Sequence, residues 1–231
     1  MSSDMTNSHD CANCDNCMFE TSNTIPTDLH EIHVTVESEG NNSRFIDVCN
    51  ANNIKPIVIM YTSNHKETCL DPMTSLRTEG PCQDVATHAS KIAQLLTKEG
   101  FNVLRTKIET TPNNAEAQTY NGYYESHLAV KTHLNFEGNL RHLVSNYRFD
   151  DNIMPHISTN AFKMGNATKT IMITHRRTGV SLEKFNNEVN TLRNDIEKHK
   201  FNVDRIIVEY CWYDTNLAHD DSWMNNIGEE T

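Results

Sequence analysis

The stretch FNVLRTKIE at residues 101–109 recurs as FNVDRIIVE at residues 201–209, and this recurrence decides the predicted fold. A second block, MTSLRT at 73–78, recurs as ITHRRT at 173–178. Both pairs are one hundred positions apart, so the two blocks align together without a gap. The chain of 231 residues therefore contains the same structural unit twice.

Each copy is predicted to run strand, helix, strand, strand, helix, strand. The clearest elements are two amphipathic helices, at about 84–99 and 182–199, whose apolar residues recur at i, i+4, i+7 and i+11 in the same register. Each helix leads directly into a strand, at 102–110 and 202–212. This order predicts an α+β fold, a tandem duplication of a ferredoxin-like βαββαβ unit whose antiparallel sheets carry their helices on one face.

The copies are flanked and joined by polar segments. The N-terminal residues are mostly Ser, Asn, Asp, Thr and Cys without apolar periodicity, which is typical of a disordered segment. The predicted organisation is a disordered Cys-containing tail at 1–29, a first ferredoxin-like repeat at 30–110, a linker at 111–124, a second repeat at 125–214 and a disordered acidic tail at 215–231.

Composition narrows the class of protein. A formal charge of −11, from 20 Lys and Arg against 31 Asp and Glu, argues against an extensive nucleic-acid-binding surface. No run is apolar enough for a membrane span, the N-terminus lacks the layout of a signal peptide, and seven cysteines fit a reducing compartment. We therefore expect a soluble, cytoplasmic protein with no membrane partner, and the sequence does not indicate its oligomeric state.

Polar residues that both copies keep fall on one face of the predicted strands. A third repeated block, EIHVTV at 31–36 and ESHLAV at 125–130, alternates apolar and polar residues. If the aliphatic side chains pack on the helices, the opposite face of each sheet is polar. The preserved polar positions there are His33 with His127, Arg105 with Arg205, and Glu109 with Glu209.

Three interpretations of these positions stay open. His33 and His127 could act as a general acid and base, with Arg105 and Arg205 binding a phosphate group. Alternatively, His33, His127, Glu109 and Glu209 could bind a divalent metal, the only cofactor the residues suggest. In the third interpretation they form an ordinary solvent-exposed sheet face in which Glu and Arg neutralise each other.

The segment His33-Val34-Thr35-Val36 resembles the His-x-Thr motif of the two-histidine (2H) phosphoesterase superfamily. That resemblance implies two pseudo-symmetric lobes around a cleft, a histidine pair for acid–base work and a Thr35 hydroxyl that steadies the phosphate. The repeat partner of His33, His127, is followed by Ala129 where the motif requires a hydroxyl. His156 is followed by Ser158 but does not match His33 in the repeat, so the second motif stays undecided.

Two further groups of residues are candidate sites. Hydroxyls and an arginine precede each long helix and could bind phosphate or simply cap the helix, and the candidates are Arg77, Thr78, Arg177 and Thr178. The cysteines of a C-x-x-C-x-x-C segment, Cys11, Cys14 and Cys17, have the spacing of a metal site.

The sequence favours a protein that binds or cleaves a nucleotide or phosphoester between its two repeats, with a small phosphorylated molecule as its ligand. The alternatives are a non-catalytic protein-interaction or ligand-binding module and a metal-dependent enzyme with the His/Glu set. Whether the protein is an enzyme is not decided by these patterns.

Overall fold

The computed structural model describes residues 28–63, 65–149, 153–164 and 167–221. Its first half contains four strands and two helices. These are β1 (Leu29–Val36), α1 (Ser43–Ala51), β2 (Lys55–Thr62), β3 (Thr68–Glu79), α2 (Cys82–Lys98) and β4 (Val103–Thr110). The second half repeats this order as β5 (Tyr123–His133), α3 (Glu137–Ser145), β6 (His156–Met164), β7 (Thr168–Arg177), α4 (Leu182–Lys198) and β8 (Asn202–Asp214). Short 3₁₀ helices lie at Ala117–Thr119, Leu134–Phe136 and Leu217–Asp220.

The two long helices form where the helical spacing of apolar residues predicts them. The stripe of α2 is buried, as is the corresponding stripe of α4. Helix α4 begins at Ser181, whose hydroxyl accepts a hydrogen bond from the backbone N–H of Lys184 at 3.2 Å. Helix α2 ends before Gly100, which adopts a φ of +85° that a residue with a side chain rarely takes. The turn at Gly100 leads from α2 directly into β4.

The eight strands form one closed antiparallel barrel in the order β1-β3-β2-β6-β7-β5-β8-β4. Within each half the neighbours are β2-β3-β1-β4 and β6-β7-β5-β8. The halves join at two seams, where β4 pairs with β8 and β2 pairs with β6. The predicted fold class, two ferredoxin-like units each with an open sheet and helices on one face, is therefore wrong. The prediction failed because an open sheet leaves unpaired backbone N–H and C=O groups on its two edge strands. Pairing the edge strands of one half with those of the other satisfies these groups and closes the barrel.

Closure gives the barrel an outer face and an inner face. The aliphatic residues of β1, Ile32 and Val34, are fully buried in the same apolar cluster as Val85 and Ala89 of α2. Helix α1 contacts β2, α3 contacts β6, and α4 contacts β5 and β8. The apolar core therefore lies between the helices and the outside of the barrel. The alternating polar residues of the same strands point the other way, into the barrel.

Some segments differ from their predicted boundaries. Strand β3 has twelve residues, whereas the sequence suggests only a short strand near its end. The predicted linker 111–124 contains a 3₁₀ helix and the first residues of β5, and the predicted acidic tail begins with the 3₁₀ helix Leu217–Asp220. Residues 1–27 and 222–231 lie outside the described residues. Within the described residues, every helix is too short or too polar to cross a membrane.

Candidate active site in the barrel interior

His33 on β1 lies inside the barrel between two hydrogen-bond acceptors. Its Nδ1 is 2.9 Å from the carbonyl oxygen of Thr74, and its Nε2 is 3.1 Å from Oε2 of Glu109. Because a carbonyl and a carboxylate only accept, both ring nitrogens carry protons. Burial opposes this charge, but the hydrogen bond from His33 to Glu109 and the negative charge of Glu109 outweigh it and raise the pKa of His33. The ring is therefore an imidazolium cation.

His127 on β5 has the corresponding environment in the second half. Its Nδ1 is 3.0 Å from the hydroxyl of Thr174, and its Nε2 lies 3.2 Å from Glu125 and 3.8 Å from Glu209. Burial again opposes the charged ring, and the hydrogen bond to Glu125 again raises the pKa of His127. Each histidine thus lies beside two glutamates, one on its own strand and one on a neighbouring strand.

Lys107 on β4 connects the two histidine sites. Its Nζ lies 2.6 Å from Glu109 and 2.8 Å from Glu125, and the second contact passes over β8 to reach β5. Together these contacts make a continuous chain of ionisable groups, in the order His33, Glu109, Lys107, Glu125, His127. Burial raises the pKa of a carboxyl group, but Lys107 outweighs this and holds the pKa values of both inner glutamates below the usual range.

The outer carboxylates differ from the inner ones. Glu31 accepts hydrogen bonds from Ser75 at 2.6 Å and Arg77 at 3.1 Å, and despite burial its pKa is lowered by His33 and these donors. Glu209 has its nearest cation, His127, at 3.8 Å. Burial and the charge of Glu109 raise the pKa of Glu209 to about 7. Glu209 is therefore the interior carboxyl group that changes its charge near neutral pH.

The difference between the halves comes from a single position. In the repeat, Ile207 stands where Lys107 stands in the first half. Lys107 draws Glu109 and Glu125 together, so the tight partner of His33 is on β4 whereas the tight partner of His127 is on its own strand, β5. The repeat partner of Glu109 is Glu209, which makes no ion pair with a lysine within the described part of the chain. A symmetric set of residues thus produces an asymmetric site.

Two arginines lie beyond this chain of groups. Arg105 donates to Asp214 at 2.9 Å through Nε and to Asp220 at 2.8 Å through Nη1. Arg176 donates to Glu125 and to Asp220, both at 2.7 Å. Although burial disfavours a charged guanidinium, these carboxylates raise the pKa values of both arginines. The network therefore extends from His33 to the C-terminal 3₁₀ helix.

A metal ion would have to compete with Lys107. Ligand atoms of Glu109, Glu125 and His127 lie within 4.8 Å of one another, which is a spacing that a cation could bridge. The ammonium group of Lys107 already lies between the two carboxylates of this cluster. Because these carboxylates raise the pKa of Lys107 despite its burial, the lysine remains charged there. The described side chains thus already place a cation in this cluster.

The structure brings some predicted residues together and separates others. The interior contains His33, His127, Glu109, Glu209 and Arg105, and Thr35 is buried opposite Arg105 in the β1–β4 register. The others lie outside this network or at its margin. Arg205 and Thr178 are exposed, Thr78 pairs with His30 on β1, Arg177 contacts Glu188 of α4, His156 pairs with Thr174 in the β6–β7 register, and Arg77 is an exposed partner of Glu31.

Arg177 is displaced by a one-residue register shift. Arg77 pairs with Glu31 in the strand register, and the residue that pairs with Glu125 is Arg176. The structural offset of β3 and β7 is therefore 99 residues rather than the 100 of the ungapped alignment. Since neighbouring strand residues face opposite sides, this shift turns Arg177 outward and Arg176 inward.

Sequence reasoning therefore missed several interior residues. Glu31 and Glu125 were visible as a repeated pair, and that repetition was sufficient to nominate them. Lys107 aligns with Ile207, so repetition did not nominate it. Arg176 was missed because the ungapped alignment pairs Arg77 with Arg177. Asp220 lies in a segment without periodicity, so no sequence signal pointed to it. Cys11, Cys14 and Cys17, the proposed metal ligands of the tail, lie outside the described residues.

Comparison with known proteins adds little to this site. No model of a known protein family matches the chain, and no curated protein matches it. Among solved structures, the chain is similar to a chlorite dismutase-like protein, with a TM-score of 0.27 and 11% identity over 80% of this chain and 94% of that one. It is also similar to the small subunit of acetolactate synthase from Thermotoga maritima, with a TM-score of 0.25 and 14% identity over 78% and 92% of the two chains. The function must therefore be argued from the site.

The resemblance to the 2H phosphoesterases is wrong. Its motif implied two lobes on either side of an open cleft, whereas the strands close into a single barrel whose interior contains ion pairs. The tetrapeptide around His33 therefore reflects strand alternation. Residues two positions apart lie on the same face of a strand, as His33 and Thr35 do.

Proposed function

We propose that the barrel interior is a proton-transfer site for a small polar molecule, with Glu209 as the proton acceptor and His127 as the proton donor. The observation that carries this proposal is the position of Glu209, mostly buried and 3.8 Å from the Nε2 of His127, with its carboxyl pKa raised to about 7. A general base works best when its pKa is near the operating pH. An adjacent pair of titratable groups, one as base and one as acid, is a common arrangement for such catalysis.

The free energy that it costs to bury these charged groups supports a functional role for them. Burying charged groups is expensive, and replacing a buried ion pair with apolar residues is often neutral or stabilising. The barrel accepts an apolar residue at the position related to Lys107, where the second half has Ile207. A strand of this barrel can therefore have an apolar residue at the corresponding position, and the buried Glu109–Lys107–Glu125 cluster is a costly feature that a chemical role would explain.

Solvent reaches the His127–Glu209 pair more readily than the inner glutamates. The side chain of His127 is 23% exposed and that of Glu209 is 18% exposed, whereas Glu109 and Glu125 are 2% exposed. A ligand would reach the outer pair first. Glu109, Lys107 and Glu125 would lie behind that pair, where the negative charges of the two glutamates help to raise the pKa of His127. In the proposed step, Glu209 takes a proton from a carbon next to a carbonyl. The Nε2–H of His127 exchanges its hydrogen bond to Glu125 for one to the substrate oxygen that gains the charge.

Deuterium exchange tests the proposal without knowledge of the substrate. Pyruvate, acetoacetate and oxaloacetate are incubated with the protein in D₂O, and exchange of their C–H protons is followed by NMR. We expect at least one of them to exchange faster with the wild type, with a rate that falls below about pH 7 and is lost in Glu209→Gln. Glu197→Gln, a charge-matched change on the surface of α4, should leave the rate unchanged. Equal exchange by the wild type and Glu209→Gln for all three acids would overturn the proposal.

A further inference from the structure

Asp220 is a buried carboxylate supplied by the end of the described chain. It lies in the 3₁₀ helix that follows β8 and is 4% exposed. Its Oδ2 accepts hydrogen bonds from Arg105 at 2.8 Å and from Arg176 at 2.7 Å. One carboxylate oxygen thus lies between two guanidinium groups that come from strands of different halves.

The two arginines do not depend on Asp220 for neutralisation. Arg105 also pairs with Asp214, and Arg176 also pairs with Glu125. Tyr123 fixes both guanidinium groups, because its hydroxyl accepts from Arg105 at 3.2 Å and its ring lies 4.5 Å below the guanidinium carbon of Arg176. The arginine pair is therefore a preorganised frame that persists without the third carboxylate.

The segment that carries Asp220 is held mainly by polar contacts. The Nε2 of His219 lies 2.9 Å from the Oδ2 of Asp71. The side-chain amide of Asn216 donates to the backbone carbonyl of Leu104 at 3.1 Å. Leu217, an apolar residue of this segment, is 58% exposed. Polar contacts of this kind can be exchanged for contacts with a competing anion, whereas a segment anchored in the apolar core would remain in place.

We propose that Arg105, Arg176 and Tyr123 form an anion subsite for the carboxylate or phosphate group of a small ligand, and that Asp220 occupies this subsite until the ligand displaces it. Two guanidinium groups suit either anion, and Tyr123, whose hydroxyl donates to Asp214 at 2.7 Å, holds them in place. The inference deepens the proposed proton-transfer function and rests on it only for the statement that the ligand is the substrate. Arg176 connects the two regions, since its partner Glu125 is also the partner of His127.

Anion binding to an Asp220→Ala variant tests the subsite directly. Inorganic phosphate and acetate are titrated calorimetrically into the wild type and the variant, with sodium chloride matching the ionic strength. We expect the variant to bind at least one of these anions about tenfold more tightly than the wild type does. Adding Arg176→Gln to the variant should abolish that gain. Asp204→Ala, which removes an exposed carboxylate of β8, should behave as the wild type.

Hydrogen exchange on the wild type provides the second readout, which remains valid if Asp220→Ala does not fold. Saturating phosphate or acetate should accelerate amide exchange in residues 215–221 relative to sodium chloride. The inference is overturned if a folded Asp220→Ala binds neither anion more tightly than the wild type, if the gain survives Arg176→Gln, or if exchange at 215–221 is unchanged. Anion binding without deuterium exchange of keto acids would leave the subsite standing and remove the proton-transfer function.

Discussion

At the scale of single residues, one lysine decides the chemistry of the barrel interior. Both halves supply a histidine between two glutamates, and only the first half adds Lys107. The lysine holds Glu109 and Glu125 ionised and leaves Glu209 without a strong counterion. Glu209 is more exposed than Glu109 and Glu125, so burial alone does not explain why its pKa is the one that is raised. Lys107 lies beside the other two carboxylates, whereas Glu209 adds the repulsion of Glu109 to the effect of its burial.

The pH dependence of stability should show this difference. The folded state retains the proton of Glu209 up to about pH 7, whereas an unperturbed glutamate releases it near 4.5. Ionisation of Glu209 therefore lowers the free energy of unfolding as pH rises from about 5 to 8. We expect Glu209→Gln to be more stable than the wild type by about 2 kcal/mol at pH 8 and nearly equal at pH 5, as measured by urea denaturation.

Glu31→Gln is the matched control for that measurement. The pKa of Glu31 is lowered, so its stabilising effect is present above its unfolded pKa and is lost as pH falls. The Glu31→Gln variant should therefore be less stable than the wild type at pH 8, with the opposite sign to Glu209→Gln. If both variants change stability in the same direction at pH 8, the assignment of the two carboxylates is incorrect.

Removal of Lys107 should expose the latent cation site. Lys107→Ala leaves Glu109 and Glu125 facing each other, and we expect a loss of about 3–5 kcal/mol at neutral pH in the absence of metal. Zinc should then raise the melting temperature of this variant by bridging the two carboxylates and His127. Lys91→Ala, on the exposed face of α2, should show neither effect. An equal zinc-induced shift in the wild type would mean that the cluster binds metal with Lys107 in place.

At the scale of elements, the start of β5 requires a glycine. A Cβ added to Gly122 would overlap the carbonyl oxygen of Cys211 on β8. The backbone N–H of Gly122 donates to the Tyr210 hydroxyl at 3.0 Å. We expect Gly122→Ala to lower the free energy of unfolding by about 1–3 kcal/mol. Gly138→Ala lies in α3 with open space around it, and there alanine should stabilise by about 0.5–1 kcal/mol. Thermal unfolding of the two variants checks these opposite signs, and a neutral Gly122→Ala would contradict the close packing of β5 on β8.

Helices and strands differ in how well the sequence predicts them. The two long helices and the order of elements followed from periodicity, because a 3.6-residue stripe such as Val85 to Leu96 has few alternatives. Strand β3 was largely missed because Asp71 and Pro72 interrupt its apolar pattern, although both residues are buried. The offset of 99 between β3 and β7 is equally invisible, since only strand pairing reveals it.

At the scale of the whole molecule, barrel closure explains why the predicted fold was wrong while the polar face was recognised. The alternation of β1 and β4 fixes which side chains share a face. It does not say whether two sheets remain open or join at their edges. Seams such as Ile59 to Tyr61 on β2 with Ser158 to Asn160 on β6 are long-range pairings that no local pattern specifies. The candidate site was therefore partly predicted, and its enclosure was not.

Closure also implies that the halves depend on each other. In isolation, residues 28–116 would expose Lys107 and Glu109 without Glu125, together with both edge strands. We expect neither 28–116 nor 117–231 to give a dispersed NMR spectrum as a monomer, whereas mixing them should restore one. A folded monomer of either half alone would contradict the view that the barrel is the cooperative unit.

The central claim, that the interior is a proton-transfer site centred on Glu209, is tested most directly by a ¹³C NMR titration of the glutamate side chains. The Glu209 signal is assigned with Glu209→Gln and followed from pH 3 to pH 9. We predict a midpoint near pH 7 for Glu209 and a midpoint below the usual value for Glu31. A Glu209 midpoint near 4.5 would mean that the carboxylate is solvated like any surface group, and the proposed base would be lost.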